Sequence, residues 1–346
     1  MPAPNPKDSM KSTWRTASRD TWSIHHWAID LLGAHPVALD KEVPVFDAGS
    51  KLPYMPQWSL QRWVLFYAAI PLALQQVWAM ATGRNLSGFA VFNLYFFAIN
   101  ANVIYQVHVL RRLAHVYGFL DGQHARDGVP DVGVSKVVHS LYKTTGSRLA
   151  LSVWLCYRQA QLPAQLDWAW LPLQIGVYGI VLDFWFYWYH RLMHDVPWLW
   201  RFHRTHHLTK HPNPLLAAYA DHEQEFGDMV AVPMMTFFTL RAIGLPLGFY
   251  EWWICQQYVV FAEVFGHSGL RVHTSVPSTL NWLLTMLGAE IVVEDHDLHH
   301  RKGWRKSHNY GKQTRLWDRI FGTCGDRIEA VEENVDYENV VPMPLW

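Results

Sequence analysis

Two almost uncharged runs, Trp63–Thr82 and Leu86–Leu110, stand back to back with only Gly83-Arg84-Asn85 between them. Each reaches the roughly 20 apolar residues that a helix needs to cross a bilayer. In hydrocarbon an unpaired peptide group is so costly that only helices and closed barrels persist. The two runs are therefore predicted to form a helical hairpin whose ends emerge on the same side of a membrane. Hydrophobic residues make up 50% of the chain, yet mean hydropathy is −0.04, so the apolar residues must sit in blocks. A formal net charge of zero and the lack of a long basic run argue against a nucleic-acid partner. Cys156, Cys255 and Cys324 are scattered with no CxxC pair, so neither a disulfide framework nor a thiolate metal site is expected. Residues 1–22 are polar and hold no apolar core, so no cleaved signal peptide is expected and an internal span would direct insertion.

More apolar segments follow. Ala150–Ala160 and Leu166–Tyr189 read as a second hairpin turning at Pro163, its first arm short and re-entrant or interfacial. Met229–Ile243 and Phe249–Phe265 read as a third, turning at Gly244-Leu-Pro-Leu-Gly248. The expected fold is all-α: an integral membrane bundle of helical hairpins, with four to six membrane segments, capped by a cytosolic helical domain rich in histidine. The stretch Arg111–Arg148 carries Arg111, Arg112, Arg126, Lys136, Lys143 and Arg148 and reads as a basic loop. Positive charge beside spans marks the cytosolic side. Residues 1–60 form a cytosolic N-terminal segment with one amphipathic helix, Trp22–Leu32. Residues 61–165 hold the first hairpin and the basic loop, 166–325 the catalytic part, and 326–346 a tail. Asn85-Leu-Ser is a formal glycosylation sequon, expected to stay unmodified in a turn that hugs the membrane.

Ten of the 20 histidines fall into five clusters: His190 and His194 as HxxxH, His203, His206 and His207 as HxxHH, His222, His267, and His296, His299 and His300 as a second HxxHH. Residues at i, i+3 and i+4 share a helical face, so each box aims its imidazoles at one point. Imidazole suits borderline transition metals, and one ion needs three or four ligands. Ten nitrogens therefore suggest two ions close together. Every cluster follows a complete hairpin, which puts all of them on one membrane face. Asp183 and Glu263 would otherwise be carboxylates within apolar helices, and are candidates to orient the ligating rings. The acids around His222 and His296 read as loop charge. His211 and His273 lie near the boxes and stay open. His25, His26, His35, His108, His115, His124, His139 and His308 show no ligand spacing and read as structural.

Two irons in an all-nitrogen site bind and cleave O2. Zinc fits the same ligands, and could occupy purified protein, but has no redox chemistry. A site at the mouth of a membrane bundle favours attack on a lipid C–H bond. The chain shows no P-loop, GxGxxG or GxSxG, so electrons must come from a separate partner. A metal transporter and a non-catalytic scaffold are the rival classes. Transporter ligands belong near mid-membrane rather than at helix ends, and none of the five clusters is broken as a scaffold would allow. Arg301, Lys302, Arg305 and Lys306, beside the last box, are a candidate landing surface for an acidic electron carrier or for lipid headgroups.

The order HRLMH, HRTHH, ADHE, GHSG and HDLHH, followed by Asn309-Tyr310-Gly311 and Trp317-Asp-Arg-Ile-Phe-Gly-Thr323, resembles the fatty acid hydroxylase / sterol desaturase superfamily over roughly residues 170–325. The two end motifs are most similar to the sterol C4-methyl oxidase and C5-desaturase branch. The resemblance implies a multi-pass endoplasmic reticulum enzyme, its catalytic face cytosolic, with a histidine-bound di-iron centre. It implies use of O2 and of NAD(P)H through cytochrome b5 and its reductase. By motif match the ligands carry over onto His190, His194, His203, His206, His207, His222, His267, His296, His299 and His300. No His-Pro-Gly-Gly haem motif is fused to the chain, and Gly-Leu-Arg-Val-His273 departs from the sterol enzymes' usual Gly-Tyr-x-x-Pro. The expected reaction is hydroxylation or desaturation of an apolar lipid of sterol, terpenoid or fatty acyl type.

Overall fold

A computed structural model describes residues 5–346. The chain is mostly helical: α1 Ile24–Leu31, α2 Gln57–Thr82, α3 Gly88–Tyr117, α4 Val134–Cys156, α5 Leu171–Asp195, α6 Pro197–His203, α7 His222–Phe226, α8 Val232–Ala242, α9 Phe249–Gly266, α10 Asn281–Met286, α11 Val293–Arg301 and α12 Leu316–Ile320. Two short strands, β1 Leu52–Tyr54 and β2 Val335–Val340, pair in parallel.

The first hairpin forms as its sequence dictates. α2 stops at Gly83, whose φ of 67° lies in the left-handed region that glycine enters freely. Ser87 then caps α3, its hydroxyl accepting the Ala90 N–H at 3.3 Å. These are the two helices long and apolar enough to cross a membrane. Their outer faces expose Phe66, Ile70, Leu74, Val77, Phe89 and Phe97. The Asn85 amide of the sequon is occupied: it donates to the carbonyls of Gln159 (3.0 Å) and Gln161 (2.7 Å) and accepts from Gln75 (2.8 Å).

The expected basic loop is largely helix. α3 runs on past Arg111 and Arg112 to Gly118, and α4 already begins at Val134, taking in Lys136, Lys143 and Arg148. The charge marks where helix leaves the apolar layer, not where the backbone ladder stops. Only residues 118–133 form the loop. α4 is therefore longer than the short arm expected at Ala150–Ala160. It lies antiparallel to α3, with Asn100 donating to Thr145 Oγ1 at 3.3 Å, and the Tyr157 hydroxyl reaches Leu86 O.

The Gly244–Gly248 turn lies at the same end, since Tyr250 Oη donates to Gln161 O (2.9 Å) and Gln174 to Pro246 O (2.9 Å). At this end the link 157–170 begins α5, which carries His190 about 28 Å away at 1.5 Å per residue. α9 is buried nearly all round, with Trp252, Trp253, Phe261 and Phe265 in the core, as befits a helix apolar on every face. It packs against α2, α3, α4 and α5. At the opposite end β1 and β2 join residues 52–54 to 335–340, and His273 extends the pairing to Tyr54.

Candidate metal centre

Four elements converge at the histidine end. α5 places His190 and His194 one turn apart; α6 and the 3-10 turn after it present His203, His206 and His207. His267 stands at the C-cap of α9, and α11 carries His296, His299 and His300. α11 is held by its acids. Asp295 caps the helix by accepting the Val292 N–H at 2.9 Å and takes two bonds from Arg327 (3.0 and 2.8 Å). Glu294 accepts the N–H groups of Ile328 (3.1 Å), Glu329 (2.8 Å) and Ala330 (2.7 Å). Asp297 pairs with Arg126 and, at 3.2 Å, with Arg301. The acids around His296 thus anchor the helix rather than the rings.

Six rings have a fixed tautomer, because a carbonyl can only accept. Nδ1–H donates from His190 to Tyr310 O (2.8 Å), His194 to Trp304 O (2.8 Å), His206 to Tyr219 O (3.3 Å), His267 to Glu263 O (2.7 Å), His299 to His308 O (2.6 Å) and His300 to Thr209 O (3.1 Å). Each is left with a bare Nε2. Those nitrogens face one another. His203 Nε2 lies 3.0 Å from His190 Nε2, 3.1 Å from His194 Nε2 and 3.1 Å from His207 Nε2, while His299 Nε2 is 3.0 Å from His207 Nε2. In the other set His267 Nε2 is 3.1 Å from His296 Nε2 and 3.4 Å from His206 Nε2. A single proton on His203 Nε2 cannot satisfy the two bare nitrogens of His190 and His194 that converge on it. His300 Nε2 is buried with no partner among the described residues. The donor set therefore fits cations between the rings, where lone-pair repulsion becomes attraction.

Two groups result: His190, His194, His203, His207 and His299, and then His206, His267, His296 and His300, the ligand atoms within each group lying within 4.8 Å of one another. All nine residues are buried. Burial, followed by the neighbouring imidazoles, pushes His206, His207, His296, His299 and His300 well below the ordinary histidine range. Neutral imidazole is the form that ligates.

His222 does not join either group. It opens the one-turn α7, whose inner face is Gln224 and Glu225, so its ring turns outward, 65% exposed, against Glu225 (3.2 Å) and Lys143 (3.3 Å). His211 bonds Asp121 at 2.9 Å and stands with it and His124 in a separate, partly exposed cluster, and His273 lies in the backbone pairing with Pro53 and Met55; neither joins the two buried groups. Asp183 and Glu263 act at one remove. The Asp183 carboxylate accepts the N–H of Lys312 (2.8 Å), Gln313 (3.1 Å) and Thr314 (3.1 Å), fixing the loop whose Tyr310 carbonyl holds His190. The Glu263 carboxylate pairs with Lys312 at 3.1 Å and stands 3.8 Å from His267 Nδ1, whose proton goes to the Glu263 carbonyl. Lys312, which also bonds Asp228 at 2.6 Å, was invisible as a site residue except for its place directly after Asn309-Tyr310-Gly311. Arg301 turns inward onto Asp121, Glu294 and Asp297, so the expected basic landing patch reduces to the exposed Lys302, Arg305 and Lys306.

A cavity of about 100 Å³ abuts both groups: His190, His203, His206 and His296 share its wall with Val103, Leu141, Phe186, Leu215, Met229 and Val264. A π-helical turn, Gly227–Ala231, borders it, a local unwinding common at functional sites. The arrangement would hold metal at the wall of a largely apolar chamber.

The sequence profile of the fatty acid hydroxylase family matches residues 175–323. The chain is 43% identical over 309 residues to the fatty acid hydroxylase vlmA of Lecanicillium sp, covering 85% of this chain and 84% of that protein. It is 29% identical to human alkylglycerol monooxygenase over 54% of this chain and 36% of the relative. Methylsterol monooxygenase 2-2 of Arabidopsis thaliana is 31% identical over 49% of this chain and 60% of its own length. No solved structure matches.

Proposed function

The chain belongs to the fatty acid hydroxylase family and is an oxidoreductase, and from that premise we propose that it is a di-iron membrane oxygenase that hydroxylates or desaturates an apolar lipid. The observation that carries this reading is the pair of buried histidine groups opening on one apolar cavity. Iron held there would supply O2 activation and oxidation of a C–H bond, which zinc on the same ligands would not. The chain's own residues hold and orient. Carbonyls of Tyr310, Trp304, His308, Thr209, Tyr219 and Glu263 lock six rings with Nε2 toward the metals. Phe186, Leu215 and Val264 exclude water from the chamber and favour a hydrocarbon substrate.

The exposed apolar faces of α2 and α3 support a membrane protein. Our reading adds α4, α5, α8 and α9 as further membrane segments, giving up to six, in the endoplasmic reticulum with the histidine end cytosolic. The basic residues flanking α3 support that orientation. Electrons would come from NAD(P)H through cytochrome b5 and its reductase, since no nucleotide motif stands in the sequence. Relatives named for fatty acids, alkylglycerols and methylsterols support a fatty acyl or sterol-like substrate.

The test is expression in a host with a cytochrome b5 chain, with labelled O2 and mass spectrometry of lipid products. A product with one added labelled oxygen, or two fewer hydrogens, dependent on iron and on the reductase, is expected. Turnover in purified protein with NAD(P)H and O2 but no carrier would overturn the electron route. A lipid profile identical to that of the empty host would overturn the oxygenase reading.

A further inference from the structure

Resting on the oxygenase reading only for the identity of its cavity, we propose that Arg148 holds an anionic head group of the substrate. The ligand is then an apolar chain ending in a carboxylate or a phosphate, not a neutral lipid. Arg148 lies on α4, lines the cavity shared with His190, His203, His206 and His296, and is only 4% exposed. Its Nε has no partner, and no hydrogen bond or ion pair reaches its guanidinium among the described residues. Arginine keeps its proton in proteins and carries five donors. A buried cation without a counter-charge is costly, so natural proteins pair it.

Arginines elsewhere in the interior follow that rule. The half-buried Arg126 pairs with Asp297 and Arg327 with Asp295 (2.8 Å), and the buried Arg271 faces Glu329 at 3.9 Å. Of the acids in the cavity wall, Asp228 (2.6 Å) and Glu263 (3.1 Å) pair with Lys312 and Glu225 turns one oxygen to His222 (3.2 Å); none of the three makes a hydrogen bond or ion pair with Arg148. Arg148 is thus the one cation of the chamber wall, among the described residues, left without a partner. Its planar fork matches carboxylate and phosphate oxygens in pairs, and the surrounding Val103, Leu141 and Val264 suit the chain behind such a head.

The test uses full-length protein in nanodiscs of phosphatidylcholine, with retention of labelled hexadecanoate, hexadecyl phosphate and methyl hexadecanoate as the readout. The wild type should retain at least one anion about tenfold better than the ester. Arg148→Gln should remove that preference and leave ester retention unchanged, and Arg148→Lys should keep part of it, as a charge without the fork. Comparing the two anions tells carboxylate from phosphate. Metal content, measured in parallel, should not change. If Arg148→Gln loses metal or fails to insert, the wild-type preference and Arg148→Lys decide. Equal retention of anions and ester by the wild type, retention of none, or an unaltered preference in Arg148→Gln overturns the proposal. Binding needs no turnover, so a protein that retains anions but yields no oxidised product would refute the oxygenase reading alone.

Discussion

A ring whose Nδ1–H is committed to a carbonyl has one nitrogen left for a metal, and nothing nearby can replace it. His194→Ala, His206→Ala and His299→Ala should each lower turnover by about 100-fold or more while membrane insertion persists. His206→Ala should empty mainly the four-histidine group and His194→Ala mainly the five-histidine group. Metal analysis of the inserted proteins checks this, and normal metal content in any of the three would remove that residue from the ligand set. His222→Ala, facing solvent beside Lys143, should keep both metals and near-normal activity. Lys312→Met tests the other side of the chamber. It leaves Asp228 and Glu263 buried without their cation, and breaking such a network costs about 3–5 kcal/mol. A thermal midpoint unchanged from the wild type would show that the network contributes nothing.

At the scale of elements, protonation and packing are coupled. Five histidines of the two groups, His206, His207, His296, His299 and His300, have folded-state values far below the ordinary 6.5. Below that pH the unfolded chain binds protons that the folded chain refuses. Stability is therefore complete above 6.5 and declines as pH falls beneath it. Thermal unfolding of metal-free protein at about pH 8 and about pH 5 should show the lower midpoint in acid; a higher one there contradicts the buried-neutral assignment. The helices that position these rings were mostly readable. The first hairpin, the turn at Gly244–Gly248 and α9 follow directly from apolar runs and glycine. α4 was not, because Lys136, Lys143 and Arg148 hide its start, although a helix keeps its ladder whatever its charge. Nine of the ten expected histidines meet in the two groups, eight of them from spaced boxes and His267 from a lone position. His222 stands apart from both groups, because spacing says nothing about which way a one-turn helix faces. The carbonyls that lock the rings carry no side-chain signature, and Lys312 looks in sequence like any surface lysine.

For the molecule as a whole, depth in the membrane is the main consequence of having the nine clustered histidines at one end. Tags near residue 130 and at residue 346 should both be cut by protease added to sealed microsomes with the cytosolic face outward. Protection of either would invert the orientation. Reduction by a cytochrome b5 carrier should weaken as salt rises, if Lys302, Arg305 and Lys306 help dock it. The pairing of β1 with β2 adds a constraint of another kind, in time. Residues 52–54 wait for 335–340, α11 waits for the amides of 328–330, and His190, His194 and His299 wait for carbonyls at 304–310. A growing chain makes His190, His194 and His299 before it makes the carbonyls that aim them, so metal capture by the five-histidine group would belong to the finished polypeptide and not to the nascent one.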